Sequence, residues 1–287
     1  MRIDLHTHSN RSDGTESPAD LVRSAREAGL DVVALTDHDT VSGWASAARA
    51  GEESGVRVVP GMELSTRSPH GVSIHMLAYV FVPAAPGLRA EARRSFEARI
   101  GRGQAIVERL AADYPISWDL VQEQTQPGTT IGRPHIADAL VSAGVVADRG
   151  EAFATLLHGS SPYYVPHYAP EAVTAVRLIR EAGGVPVFAH PLADSRGRVV
   201  GEDAFDELVA AGLGGLEVHH RDNPPAAKEW LTDYAHAHDL IVTGSSDYHG
   251  AGKPNRLGEN LTAEDQLERI LDQGLSVEAV LRDVEPS

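Results

Sequence analysis

Two imidazoles two residues apart, His6 and His8, stand in the opening run Ile3-Asp4-Leu5-His6-Thr7-His8. The run reads as a buried β-strand, and alternate side chains of a strand point the same way, so both rings can converge on one point. A metal ion is the natural occupant of that point. An isolated His-x-His is as readily an ordinary strand end, but this pair is not isolated. Asp13, Asp37-His38, Glu63, His75, Ala189-His190-Pro191 and Asp247-Tyr248-His249 each fall at or just past the end of an expected strand. Together they predict a polynuclear metal site. Cysteine is absent from the 287 residues, which excludes thiolate ligands and thiol nucleophiles. Nitrogen and oxygen donors remain, a set that suits Mn, Fe or Zn.

The elements that must position these side chains follow from the apolar pattern. Short β-rich runs recur at 3–7, 32–36, 56–60, 72–82, 185–189, 213–218 and 240–244. Helical patterns lie between most of them, at 41–53, 170–182, 202–211, 225–238 and 263–272. That alternation is the rhythm of βα units and of a parallel sheet or barrel. The first helix is fully punctuated: Ser17 suits the N-cap, Pro18 the first turn, Leu21, Val22, Ala25 and Ala28 form an apolar stripe, and Gly29 suits the left-handed exit. Between the fourth and fifth strands the rhythm breaks. Residues 83–166 carry helical stretches at 88–112, 133–143 and 149–157 around a Gly/Pro/Thr-rich segment at 125–132, and no convincing strand. They read as a helical insertion over the end of the barrel where active sites form. The acidic stretch beyond Ser276 reads as a peripheral helix or tail.

The formal net charge is −16, which argues against binding long nucleic acid through a broad basic surface. Three divalent cations facing Asp13, Glu63 and Asp247 would nevertheless leave a local excess of roughly +3, so the site can attract small anions. No targeting segment and no run of 18 or more apolar residues is present, which makes the cytoplasm the expected location and a membrane an unexpected partner.

The ordered set His6-x-His8, Asp13, Asp37-His38, Glu63, His75, His190 and Asp247-x-His249 resembles the polymerase-and-histidinol-phosphatase (PHP) family of metal-dependent phosphoesterases. The resemblance spans nearly the whole chain. It implies an α/β fold, a distorted (β/α)7 barrel formed by residues 1–82 and 167–287 with the helical insertion 83–166 between the fourth and fifth strands. It also implies up to three divalent ions. Carried over by position, His6, His8, Glu63 and Asp247 would bind the first, Glu63, His75 and His190 the second, and Asp13, His38 and His249 the third. Phosphate esters react very slowly in water, and a pair of metal ions would supply a metal-bound hydroxide as nucleophile while neutralising developing charge. Asp37, beside a ligand, would orient an imidazole; its alternative is a turn or cap residue.

Asp13 stands where the histidinol-phosphatase branch commonly has histidine. The carboxylate looks like the branch that acts on nucleotide 3′,5′-bisphosphates and on short RNA 5′ ends, which also carries an insertion here. The expected partner is therefore a small phosphorylated nucleotide or short oligoribonucleotide, with histidinol phosphate as the alternative substrate. In the insertion, Gly132-Arg133-Pro134-His135 resembles a substrate-pocket element of that branch: Arg133 and His135 open a helix whose N–H groups and guanidinium favour an anion. Otherwise the segment is a helix start with a surface arginine. His167, His219 and His220 lie near site-facing ends, whereas His70, His158, His236 and His238 read as solvated. Two other readings compete. Amidohydrolases often bridge two metals with a central-strand lysine, but Lys228 and Lys253 are the only lysines and neither lies on such a strand. A non-catalytic accessory module of polymerase type would be expected to have lost ligands, and every ligand position here is filled.

Overall fold

The computed structural model describes residues 1–282. Seven strands form a single sheet in chain order: β1 (Ile3–Thr7), β2 (Val32–Leu35), β3 (Arg57–Arg67), β4 (Ser73–Tyr79), β5 (Val185–Phe188), β6 (Gly215–His219) and β7 (Ile241–Gly244). The sheet curls into a nearly closed barrel, because His8 N donates to Tyr248 O (2.8 Å) and draws the end of β1 against the segment after β7. The expected (β/α)7 barrel is the observed fold.

One pair departs from the parallel βα rhythm. β4 runs antiparallel to both β3 and β5, and β3 continues to Arg67 rather than ending near residue 60. The connection from β3 to β4 spans five residues, Ser68 to Val72, and closes with Ser68 N donating to Val72 O. A parallel crossover needs a dozen or more residues, so a hairpin is the only pairing this length permits. Glu63 and His75 consequently lie inside strands, not at or past their ends. Glu63 is paired with Leu77 and His75 with Ser65, which makes the two side chains diagonal neighbours on one face.

Helices cover the outside. α1 (Pro18–Glu27) starts as its sequence dictates: Ser17 Oγ accepts from Asp20 N, Leu21, Val22 and Ala25 are buried, and Gly29 takes φ 75°. α2 (Trp44–Ser54) follows β2. Between β4 and β5 come α3 (Pro86–Leu110), α4 (Trp118–Gln122), α5 (Arg133–Ser142) and α6 (Arg149–Thr155), and then α7 (Ala172–Glu181). α3 to α6 gather Ile106, Leu110, Val121, Ile136 and Leu140 into an apolar cluster of their own, separate from the barrel core. α8 (Glu202–Ala211), α9 (Pro225–Ala237), α10 (Glu264–Gln273) and α11 (Val277–Arg282) follow. The acidic stretch beyond Ser276 is thus helical through Arg282, and residues 283–287 lie outside the described part.

Candidate metal centre

Strand ends and the β3–β4 hairpin bring all nine candidate ligands to one end of the barrel. His6 and His8 leave β1 with their Nε2 atoms 3.0 Å apart. Glu63 reaches them from β3, its Oε2 lying 3.2 Å from His6 Nε2 and 3.1 Å from His8 Nε2. Its other oxygen, Oε1, faces His75 Nδ1 at 2.7 Å and His190 Nε2 at 3.3 Å. One carboxylate therefore looks in two directions.

Three groups have donor atoms close enough to share an ion: His6, His8, Glu63 and Asp247; His38, Glu63 and His75; and His8, Asp13, His38 and His249. The first is the set expected from sequence. The second brings Glu63 and His75 together with His38, with His190 beside the same Glu63 oxygen. The third gathers Asp13, His38 and His249, joined by His8.

The donor chemistry fits divalent ions. Buried atoms left without a hydrogen-bond partner include Asp13 Oδ1, His38 Nδ1, Glu63 Oε2 and His249 Nε2, all members of these groups. Such orphaned atoms are costly unless something polar meets them. Burial works to raise the Asp13, Glu63 and Asp247 carboxyls, but the surrounding cations and imidazoles hold all three well below the usual carboxylate range. Burial also pushes His190 down to about 3 and, with Lys253, His249 down to about 4. Ionised carboxylates and neutral imidazoles are the states a metal requires. Against the effect of burial, His6 and His8 are instead raised, His6 well above the usual histidine range by Glu217, Glu63 and Asp247 and His8 to about 9 by Asp247 and Glu63. The carboxylate field that holds those protons is the field that would hold a cation in their place.

The surroundings aim the rings. Asp37 accepts from Ser9 N (2.8 Å), Ser9 Oγ (2.7 Å) and Ser12 Oγ (2.6 Å), and Ser12 Oγ lies 3.4 Å from His8 Nδ1. Asp37 thus reaches an imidazole through Ser12 rather than directly, and it also shapes the loop carrying Asp13. Gly14 packs against the His8 carbonyl, where a Cβ would overlap backbone. His249 Nδ1 donates to Asp247 O at 2.8 Å, which leaves Nε2 facing Asp13 at 3.1 Å. His190 and Asp247 take left-handed backbone, φ 32° and 53°, at the ends of β5 and β7. Non-glycine residues hold such conformations at a cost, typically where a site demands them.

Several participants lie outside the sequence motifs. Glu217, buried in the middle of apolar β6, accepts from His6 Nδ1 at 2.8 Å. Arg196 joins Asp222 and Asp247, each at 2.6 Å, and Lys253 Nζ lies 3.1 Å from the same Asp247 oxygen. A lone glutamate or arginine in the chain has no motif around it, although a charged residue inside an apolar strand is a signal in itself.

A cleft of about 790 Å³ opens over the groups and is lined by Asp13, His38, His75 and His190 on the barrel side and by Arg99, Arg102 and Arg133 from α3 and α5. Arg99 is tied down, Nε donating to Asp39 Oδ2 at 2.8 Å and Nη2 to Ser65 Oγ at 2.5 Å. Thr129 Oγ1 donates to Asn10 O and Thr130 N to Arg11 O, so the insertion is also fastened to the loop that carries Asp13. His135 is buried and does not line the cleft; its Nδ1 accepts from Gly132 N at 3.0 Å as a helix cap. Of the three further histidines expected near site-facing ends, His167 lines the cleft and His220 is buried with Nε2 3.7 Å from Asp247 Oδ2, but His219 lines a separate hollow with His236 and Arg269.

A family profile described as the PHP domain matches residues 4–114. Over 87% of this chain and 95% of its own length, the phosphoribosyl 1,2-cyclic phosphate 1,2-diphosphodiesterase of Eggerthella lenta is 32% identical. The chain belongs to the PHP family. The 3′,5′-nucleoside bisphosphate phosphatase of Chromobacterium violaceum is 32% identical over 88% of this chain and 89% of its own, and the 5′-3′ exoribonuclease of Haemophilus influenzae 32% over 93% and 96%. Among solved structures, a candidate metal-dependent phosphoesterase from Bifidobacterium adolescentis superposes with a TM-score of 0.94 at 45% identity, covering 96% of this chain and 98% of its own. The protein is accordingly a metal-dependent phosphoester hydrolase, as its ordered ligand motifs lead one to expect. Among the described residues, no helix of this PHP protein is long and apolar enough to cross a membrane.

Proposed function

We propose that this enzyme hydrolyses phosphate esters of small nucleotides, removing the 3′-phosphate of nucleoside 3′,5′-bisphosphates or trimming short 5′-phosphorylated oligoribonucleotides. The observation that carries this reading is a pair of half-buried guanidiniums in the cleft, Arg102 and Arg133. Each donates to a backbone carbonyl, Arg102 Nε to Val165 O and Arg133 Nη1 to Leu157 O, both at 2.8 Å. Neither has a carboxylate partner within ion-pair distance among the described residues, although Arg99 beside them does. Burial, together with Arg133, lowers Arg102 to about 10, and burial lowers Arg133 as well. His167 faces the same cluster, driven by burial and these arginines down to about 3, and its Nε2 is buried without a partner. Two partly desolvated cations without a carboxylate partner, beside an unpartnered imidazole nitrogen, make a place for an anion. A nucleotide with two phosphates can put one on the ligand groups and the other here. Two relatives at 32% identity bear names for that substrate class, a nucleoside bisphosphate phosphatase and an exoribonuclease.

In this reading His6, His8, Glu63 and Asp247 hold one ion, Glu63, His75 and His190 a second, and Asp13, His38 and His249 a third, with Mn, Fe or Zn suited to the donors. Bound divalent ions lower the pKa of water and offset charge on phosphoryl oxygens. The chain does the rest. Glu63 spaces the groups, Asp37 and Ser12 aim His8, and Arg102 and Arg133 orient the substrate from the second phosphate. Residues 83–166 serve as an insertion domain roofing the cleft of the 1–82 and 167–287 barrel, and the cytoplasm is the working compartment. A screen of phosphorylated metabolites against Mn-loaded enzyme tests the reading. Nucleoside 3′,5′-bisphosphates and short 5′-phosphorylated oligoribonucleotides are expected to be turned over fastest, with chelator abolishing activity. Histidinol phosphate as the best substrate would overturn it.

Asp13 offers a separate check. Asp13→Asn keeps the shape but removes the only carboxylate in the group with His8, His38 and His249. Metal content is expected to fall by part of the total, with reduced rather than abolished turnover, in metal analysis and assays on the same preparation. Unchanged stoichiometry and rate would make Asp13 a turn residue.

A further inference from the structure

We propose that Glu217 is a positioning residue that ties two of the ligand groups together, each carboxylate oxygen fixing one histidine; this rests on the reading of His6 and His190 as metal ligands. Glu217 is fully buried on β6, at the floor of the site and outside every group able to share an ion. Its Oε1 accepts from His6 Nδ1 at 2.8 Å and also from Ser245 Oγ. Its Oε2 accepts from the backbone N of His190 at 2.8 Å.

The consequences differ at the two ends. With one proton of His6 held on Nδ1, Nε2 is the atom left facing Glu63 Oε2 and Asp247 Oδ1, 3.2 and 3.6 Å away, and it is Nε2 that would give its lone pair to an ion in place of a proton. A metal-ligating imidazole is commonly fixed in this way, by an acceptor on its other nitrogen. At His190 the contact is to the main chain of a residue with φ 32°, and it holds that strained backbone so that Nε2 reaches Glu63 Oε1 at 3.3 Å. Glu63 is the carboxylate that faces the Nε2 atoms of both histidines, and Glu217 is the one that holds the other ring nitrogen of His6 and the main chain of His190. A frame with one carboxylate on each side keeps the spacing of the two groups constant.

An amide cannot replace this carboxylate. If the oxygen introduced by Glu217→Gln faces His6, its NH2 meets the N–H of His190, donor against donor. If the amide is flipped, its NH2 donates to His6 Nδ1 and moves the ring proton to Nε2, the atom that should bind metal. Either orientation breaks one of the two groups.

Wild type, Glu217→Gln, Glu217→Asp and Ser245→Ala are purified with Mn bound and dialysed against graded chelator, with retained ions counted and thermal unfolding followed on the same samples. Glu217→Gln is expected to lose ions at roughly 10–100-fold lower chelator strength than wild type while still unfolding cooperatively. Ser245→Ala, which removes only the third hydrogen bond, should retain metal as wild type does. Should Glu217→Gln not fold, Glu217→Asp keeps the charge, shortens the reach to both histidines and is expected to release metal early in the same way. Nitrogen-15 histidine spectra of the same proteins loaded with diamagnetic Zn add a readout that general destabilisation would not move: the Nδ1–H tautomer of His6 should be lost or mixed in Glu217→Gln. Wild type that holds its ions alongside a Glu217 variant that is folded and holds them equally tightly overturns the proposal alone. Wild type that holds no ions overturns the ligand reading and the proposal with it.

Discussion

Glu63→Gln is expected to lose more than one bound ion and to reduce kcat/KM by on the order of 10³-fold or more. The two oxygens of Glu63 face different partners, Oε2 toward His6, His8 and His38 and Oε1 toward His75 and His190. The amide keeps the side chain's size but withdraws one negative charge from both groups and offers an NH2 to one of them. An ion is worth several kcal/mol of transition-state stabilisation, and about 4 kcal/mol corresponds to about three decades in rate. Metal analysis and steady-state assays on the same protein check both halves of the expectation. Active wild type containing one ion or none would remove the basis for it. Full metal content in an inactive Glu63→Gln would show that the carboxylate serves the reaction without bridging.

The strands other than β3, which runs on to Arg67 instead of ending near residue 60, were legible because each is a short apolar run bounded by turn residues, and α8 (Glu202–Ala211) could be bounded to the residue. Strand direction was not, since alternation along a strand says nothing about which way its neighbour runs. The five-residue turn after Arg67 was the available clue, and the hairpin it forces brings Glu63 and His75 onto one face. The histidines and carboxylates of the three groups were readable from residue type and order. What lies around them was less so, because a supporting contact depends on a single atom in three dimensions. Asp37, next to His38 in sequence, reaches His8 through Ser12, while the carboxylate outside the ligand groups that hydrogen-bonds an imidazole directly is Glu217, 211 residues from its partner. Arg133 could be found through the Gly-Arg-Pro-His helix start. Arg102, in the middle of a 25-residue helix rich in charge, could not.

Arg133→Ala should lower kcat/KM about 10–150-fold for nucleoside 3′,5′-bisphosphates and much less for the matching monophosphates. The estimate follows from one charge-assisted hydrogen bond of about 1.5–3 kcal/mol to the non-reacting phosphate. Arg133 is free to make that bond: one nitrogen is committed to Leu157 O, its guanidinium lies 5.4 Å from the Phe153 ring centre, and the cleft is open to it. Losing the side chain also relieves its repulsion with Arg102, so the isolated variant should unfold at a temperature close to that of wild type or slightly above it. Arg133→Lys restores charge without the planar fork and should recover only part of the preference. The decisive quantity is the ratio of kcat/KM for bisphosphate over monophosphate, because damage to the ligand groups would lower both substrates together and leave the ratio unchanged. A ratio above one in wild type that shrinks toward one in Arg133→Ala places the second phosphate against the insertion. An unchanged ratio would mean that Arg102 and Arg133 meet some other anion, and that the ligand groups alone choose the substrate.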